Sequence, residues 1–420
     1  MTFQKPISEF KLTVWGALAA FCTYTCMYAF RRAITAATFD GLVVWGINYK
    51  IWLITFQVLG YAVSKLIGIK IVSEMKPTQR ALYLLGFVGF AELALLGFAT
   101  VPAPYNIPFL FLNGLPLGMV YGTVLGFLEG RRQTDALVSG LTASFIFASG
   151  FVKTIGRMLL NNGISEFWMP FITGLLFTVP LLISVWALVK LPPPSAEDKA
   201  ERTERAPMNA ADRKKFIQTF SLGLITLIIS YVFLTAFRDF RDNFAPEILK
   251  AAGVENPLIF TQTETTVSVI ILLLMSSLRW VKDNWKAFYF INGLLILGGI
   301  VVGVSTWLFQ QGLLSAGVWF TLTGVGLYLA YVPCNGIYFE RFVAAFKYVS
   351  TVGFVVTLAD WWGYLGSVLV LLYKNFGQPN ISFLEFFIYA GYVLAGLYVL
   401  LILVSFSYFK KKYNSLKPAT

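Results

Sequence analysis

The chain has 420 residues, of which 57% are hydrophobic, 17% aromatic and 13% charged, with a net charge of +12 and a mean hydropathy of +0.70. Soluble domains carry about a quarter charged residues, so a soluble enzyme and a disordered chain are both excluded, and apolar runs near the ~20-residue bilayer length recur throughout. There is no histidine, which removes His triads, His–metal sites, His-ligated haem and a His pH switch, and no Gly-Lys dipeptide, which removes a P-loop.

The runs are continuous instead of alternating. They predict an all-α polytopic membrane protein of about twelve transmembrane helices, not a β-barrel. The expected spans are 12–38, 49–72, 80–100, 107–127, 137–159, 168–190, 217–240, 258–279, 287–310, 315–339, 347–373 and 385–409. The first has no cleavable-signal pattern and reads as a retained helix. Within it Tyr24, Tyr28 and Arg31 follow at one-turn spacing and share a face. Their polar groups need partners inside a bilayer, so this face reads as a cavity lining. Arg32 either joins it or snorkels from the helix end. Cys22, Cys26 and the distant Cys334 lie in apolar runs and read as buried packing residues.

The second span carries Lys65 at mid-depth, suited equally to an ion pair with an acid such as Asp360 and to contact with a substrate; Lys153 in the fifth span reads the same way. Gly114, Gly118, Gly122, Gly126 and Gly130 repeat every four residues through the fourth span. This small-xxx-small stripe predicts close helix packing and takes no ligand. Arg157 and Arg241 lie near span ends and read as snorkelling residues. Residues 191–215, LPPPSAEDKAERTERAPMNAADRKK, combine a proline run with dense mixed charge. They predict a linker between an N-terminal six-helix bundle, 1–190, and a C-terminal one, 216–420. Arg238 lies in the seventh span beside Asp239 and Asp242; Glu264 in the eighth either neutralises Arg238 or carries a proton. Facing lipid, the seven basic residues inside spans would cost on the order of 20 kcal/mol at roughly 3 kcal/mol each. They require a watery cavity or acids, the candidates being Asp40, Glu92, Asp239, Asp242, Glu264 and Asp360.

With the N-terminus inside, the cytoplasmic segments collect 23 of the 33 Lys and Arg, and the outer loops hold only Lys50, Lys250 and Lys374. The positive-inside rule then places both termini in the cytoplasm, and the basic excess is topological, not a nucleic-acid surface. A weak repeat relates the halves. Ala29-Phe30-Arg31 recurs 207 residues on as Ala236-Phe237-Arg238, and Glu129 and Arg131 recur 211 and 210 residues on as Glu340 and Arg341. Arg31 and Arg238 are thereby expected at matching depth, where two guanidiniums would clamp one divalent oxyanion. Parallel six-helix halves joined by a cytoplasmic loop describe the major facilitator architecture, with substrate held near the midplane.

With these residues in place, the chain resembles the organophosphate:phosphate antiporter family of the major facilitator superfamily, typified by bacterial glycerol-3-phosphate and hexose-phosphate transporters. The first span reads Tyr24-x-x-x-Tyr28-Ala29-Phe30-Arg31-Arg32, like the family's Tyr-x-x-x-Tyr-x-x-Arg-Lys. Gly60-Tyr61-Ala62-Val63-Ser64-Lys65 is similar to its Tyr-Gly-Phe-Ser-Lys. Phe237-Arg238 with Pro246, Tyr331 before Pro333, and Trp362-Gly363-Tyr364-Leu365-Gly366-Ser367 resemble segments of spans seven, ten and eleven. The resemblance implies that Arg31 and Arg238 bind the phosphate, that Lys65, Tyr24, Tyr28, Tyr61, Tyr331 and Tyr364 line the site, and that Glu264 matches an acid in span eight. The family's span-five His has no counterpart, and Lys153 falls close to its place. Its Asp after the span-seven Arg aligns with Asn243, next to Asp242.

The expected function is secondary transport of a small organic anion, a phosphorylated metabolite exchanged for phosphate, by a monomer in the bacterial inner membrane. No enzyme activity, cofactor or metal is expected, since no nucleophile–base pair or metal cluster is present in the pattern. Two alternatives stand beside it: a proton-coupled carboxylate or other anion carrier using Glu264 or Asp360, and a transporter-fold sensor that does not transport.

Overall fold

The computed structural model describes residues 9–128, 134–193, 210–334, 337–346, 352–377 and 380–416. Most of the expected linker, and Glu129, Gly130 and Arg131, lie outside the described residues. The helices are α1 (Glu9–Arg32), α2 (Tyr49–Glu74), α3 (Arg80–Thr100), α4 (Ile107–Leu117), α5 (Val120–Leu128), α6 (Thr134–Asn161), α7 (Met169–Val189), α8 (Ala210–Asn243), α9 (Ala245–Ala251), α10 (Leu258–Ser277), α11 (Asn284–Gln310), α12 (Ala316–Cys334), α13 (Ile337–Ala345), α14 (Val352–Leu372), α15 (Phe383–Val393) and α16 (Val399–Leu416). Eleven helical segments among the described residues are long and apolar enough to cross a membrane, counting α4 with α5 and α15 with α16 as single spans. The remaining expected span is α14, Val352–Leu372. The protein is an all-α integral membrane protein.

Local chemistry sets the helix ends. Asn48 caps α2 by accepting from the Lys50 backbone N–H at 3.0 Å. Asp283 caps α11 through the Lys286 N–H at 2.7 Å. Ser382 and Glu385 form a reciprocal capping box that opens α15. Between α1 and α2 a small hairpin pairs Val43–Val44 with Ile47–Asn48. Its two turn residues, Trp45 and Gly46, both have positive φ (52° and 75°), as a two-residue turn requires.

The chain divides into two compact units, residues 1–203 with 257–265, and residues 204–256 with 266–420. In the first, α1 packs against α6 and α7, and α4 packs against α2 and α3. The glycine stripe works as expected. A Cβ on Gly114 would strike the Gln57 carbonyl oxygen, one on Gly118 would sit 2.6 Å from the Ser64 side chain, and one on Gly122 3.0 Å from Val72 Cγ1. Lys50 differs from its expected outer loop. It is fully buried in the first turn of α2, where its ammonium donates to the Thr35 carbonyl at 3.1 Å.

In the second unit α8 packs against α14 and α16, and α11 against α12. α8 is broken at Phe220 (φ −118°, ψ 19°). The carbonyl of Thr219 at the break accepts from the Tyr408 hydroxyl (3.1 Å) and the Lys412 ammonium. The Phe220 ring is wedged among Phe216, Phe342, Phe346 and Phe409.

Candidate functional site

Each unit holds one of the two expected arginines. In the first, Arg31 lies in the last turn of α1, buried at 5% exposure, with its guanidinium carbon 3.7 Å from the centre of the Tyr61 ring on α2. The Lys65 ammonium, one turn along α2, lies 5.6 Å from the same ring. Tyr24 meets Tyr28 edge-on at 5.4 Å and Tyr121 at 5.6 Å, so the expected α1 face is an aromatic cluster.

Two amides outside the expected site hold this corner. Asn113 on α4 donates to the carbonyls of Phe30 (2.9 Å) and Ala91 (3.0 Å), and accepts from Gln57 at 2.8 Å. Gln57 also donates to the Arg31 carbonyl at 3.0 Å. The last turn of α1 is thereby tied to α2, α3 and α4, which positions Arg31 over Tyr61. The available signal was an Asn and a Gln within apolar runs, since polar groups in a bilayer must find partners.

Lys153 on α6 is buried and donates to Ser149 at 2.9 Å. Residues Pro257–Thr265 belong to this unit. Thr154 donates to the Pro257 carbonyl at 2.9 Å and its hydroxyl lies 2.7 Å from that of Thr261. A Cβ on Gly150 would approach Glu264 Cγ to 2.7 Å, so that glycine makes room for Glu264 beside α6. Within its own unit Arg238 pairs with Asp239.

In the second unit Arg238 donates from Nε (3.1 Å) and Nη2 (2.7 Å) to the same oxygen, Asp239 Oδ1. The other oxygen of Asp239 accepts from Ser367 on α14 at 2.8 Å. The Arg238 guanidinium lies 4.1 Å above the Tyr331 ring of α12. Tyr331 in turn stacks on Tyr231 at 5.5 Å, and Tyr231 donates to Asp360 at 2.7 Å. Tyr364, also expected in the lining, is buried on α14, and Asp242 is buried on α8. The structure thus gathers Arg238, Tyr331, Asp360 and the candidate partner Asp239 with, unforeseen, Ser367 and Tyr231.

Arg241 corrects another expectation. It does not snorkel but is 1% exposed, with Nη2 donating to the Phe320 carbonyl at 2.9 Å and its guanidinium 4.0 Å above that residue's ring. Gly324 makes this possible, since a Cβ there would meet Nη2 at 2.6 Å. Arg32 is likewise buried, at 6% exposure. Arg157 is half-buried, with Nη1 3.5 Å from the Ala36 carbonyl.

A family model described as "Family of unknown function (DUF5690)" matches residues 33–412. No curated protein sequence matches the chain. Among solved structures, the fold is similar to that of a bacterial homologue of the human lysosomal transporter Spinster, with a TM-score of 0.63 at 12% identity, covering 99% of this chain and 100% of that one. The D-xylose-proton symporter matches with a TM-score of 0.62 at 14% identity, covering 94% of this chain and 97% of that one. The nucleoside transporter NupG matches with a TM-score of 0.61 at 13% identity, covering 95% and 99%. The fold is that of the major facilitator superfamily.

Proposed function

The chain belongs to the DUF5690 family, whose function is unknown, and we propose that it is a secondary transporter moving a small organic anion by alternating access, a phosphorylated metabolite exchanged for phosphate. The observation that carries this reading is that each unit stacks its arginine on a tyrosine ring, supplied by the second span in the first unit and by the tenth span in the second. Arg31 lies 3.7 Å over Tyr61 and Arg238 lies 4.1 Å over Tyr331, each arginine at the matching place of the sequence repeat. Stacking on a ring holds a guanidinium flat and leaves recognition of an oxyanion to its N–H edges. Lys65, Lys153 and Arg32 add positive charge in the first unit, and a site rich in cations favours reorientation with an anion bound. The similarity to sugar, nucleoside and lysosomal transporters supports transport as the general activity. The protein acts as a monomer of the bacterial inner membrane, both termini in the cytoplasm.

The test is uptake of sugar phosphates and carboxylates into proteoliposomes preloaded with phosphate. Sugar phosphate should enter at the expense of internal phosphate. Arg31→Lys and Arg238→Lys should each cut this exchange while the protein remains folded. Lysine keeps the charge but loses a fork of hydrogen bonds, each contributing roughly 1.5–3 kcal/mol, or about ten- to more than a hundred-fold in affinity. Lysine variants that exchange like the parent overturn the assignment. A proton-coupled anion carrier is the second reading, favoured by the Tyr231–Asp360 hydrogen bond next to the Arg238 site. It predicts uptake driven by a pH gradient with no phosphate inside.

A further inference from the structure

The two halves treat their arginines differently. After Arg31 the repeat places Arg32; after Arg238 it places Asp239. Asp239 is 3% exposed and its Oδ1 takes both Nε and Nη2 of Arg238, which is the bidentate edge an oxyanion would use. Adjacent residues on a helix do not face one another, so this pair forms only because both side chains bend toward a common point. We infer that Asp239 is a resident counter-anion, and that a substrate oxyanion gains the Nε–Nη2 edge of Arg238 by displacing the Asp239 carboxylate. This deepens the anion-transport reading and rests on it.

The surroundings suit such an exchange. Ser367 has one hydroxyl proton and two acceptors in reach, Asp239 Oδ2 at 2.8 Å and the Gly363 carbonyl at 3.1 Å. When the carboxylate swings away, that proton remains bonded to Gly363, so release strands no buried donor. The Tyr331 ring keeps the guanidinium in place throughout, because stacking does not depend on which anion occupies the edge. With Asp239 seated, the arginine is neutralised when the substrate is absent, which removes the cost of an uncompensated buried charge.

The experiment is equilibrium binding of inorganic phosphate to the purified full-length protein, comparing the parent with Asp239→Asn and Asp239→Ser. Removing the competing carboxylate should tighten phosphate binding at least tenfold in both variants, and phosphate should raise their thermal stability more than the parent's. If the parent binds phosphate and the variants bind it equally or more weakly, the inference is overturned while the transport reading stands. Should only the variants bind, Asp239 is confirmed as the competitor. Binding by none of the three overturns both. Variants that survive purification only with phosphate present support the displacement, since phosphate then fills the vacated edge. Variants lost even in phosphate identify a structural ion pair and overturn it.

Discussion

Replacing Gly114 by alanine tests the packing that underlies the first unit. A Cβ at this position would strike the Gln57 carbonyl oxygen, with the Tyr61 amide nitrogen at 3.1 Å and the Gln57 carbonyl carbon at 3.2 Å. All three atoms are backbone of α2 and cannot rotate aside. An ordinary carbon–oxygen approach is about 3.3 Å or more, so α2 and α4 must part by about 1 Å. Overpacking of this kind costs about 1–3 kcal/mol. The same movement opens the 2.8 Å bond between Gln57 and Asn113, and hydrogen bonds between membrane helices contribute about 0.6 kcal/mol each. The expected destabilisation is about 2–4 kcal/mol, or a Tm lowered by about 4–8 °C in detergent. Gly86 and Gly89 on α3 serve as controls, because a Cβ at either meets nothing within 4 Å. Alanine there should be neutral or stabilising by up to about 1 kcal/mol, from helix propensity. Gly122→Ala should fall between, as its obstacle is the Val72 side chain at 3.0 Å. Thermal unfolding followed by size-exclusion chromatography reads the series. A Gly114→Ala protein as stable as Gly86→Ala would refute the close α2–α4 crossing.

Two further outcomes follow from the same structure. Tyr61→Phe keeps the ring under Arg31 and should retain anion exchange within about threefold, whereas Tyr61→Leu removes a desolvated cation–π contact of about 2 kcal/mol and should lower affinity about thirtyfold; equal losses would show that the hydroxyl, not the ring face, matters. In a background without Cys22, Cys26 and Cys334, a cysteine at Tyr105, which is 76% exposed, should react with an impermeant reagent added outside cells, and one at Lys199 should not; external labelling at Lys199 would invert the topology.

The helices were legible because membrane insertion is a local and nearly additive property. A run of apolar residues of bilayer length is helical whatever packs on it, and the observed ends lie within a few residues of those expected for most spans. The close packing of the glycine stripe was legible for a related reason, since small residues at every fourth place have one common use. That Arg31 and Arg238 hold corresponding sequence positions was written in the repeat, and so was the asymmetry of Arg32 against Asp239; the pairing of Arg238 with Asp239 was not.

What tertiary structure alone decided is which groups meet. Arg238 had several acids available, and composition ranks none of them; the side-chain directions of α8 select Asp239. Arg241 near a helix end reads as a residue that reaches for water, but Gly324 opens a pocket in which the Phe320 carbonyl and ring hold it instead. Lys50 sits at a span boundary and is nonetheless buried, because the turn after α1 brings the Thr35 carbonyl to it. Gln57 and Asn113 are 56 positions apart and act as one unit only where α2 crosses α4. The cost of a polar group in a bilayer is set by its residue type and can be read along the chain; the partner that offsets it is set by side-chain directions, as for Arg238, or by neighbours distant in sequence, as for Arg241 and Gln57, and both exist only in the folded helices.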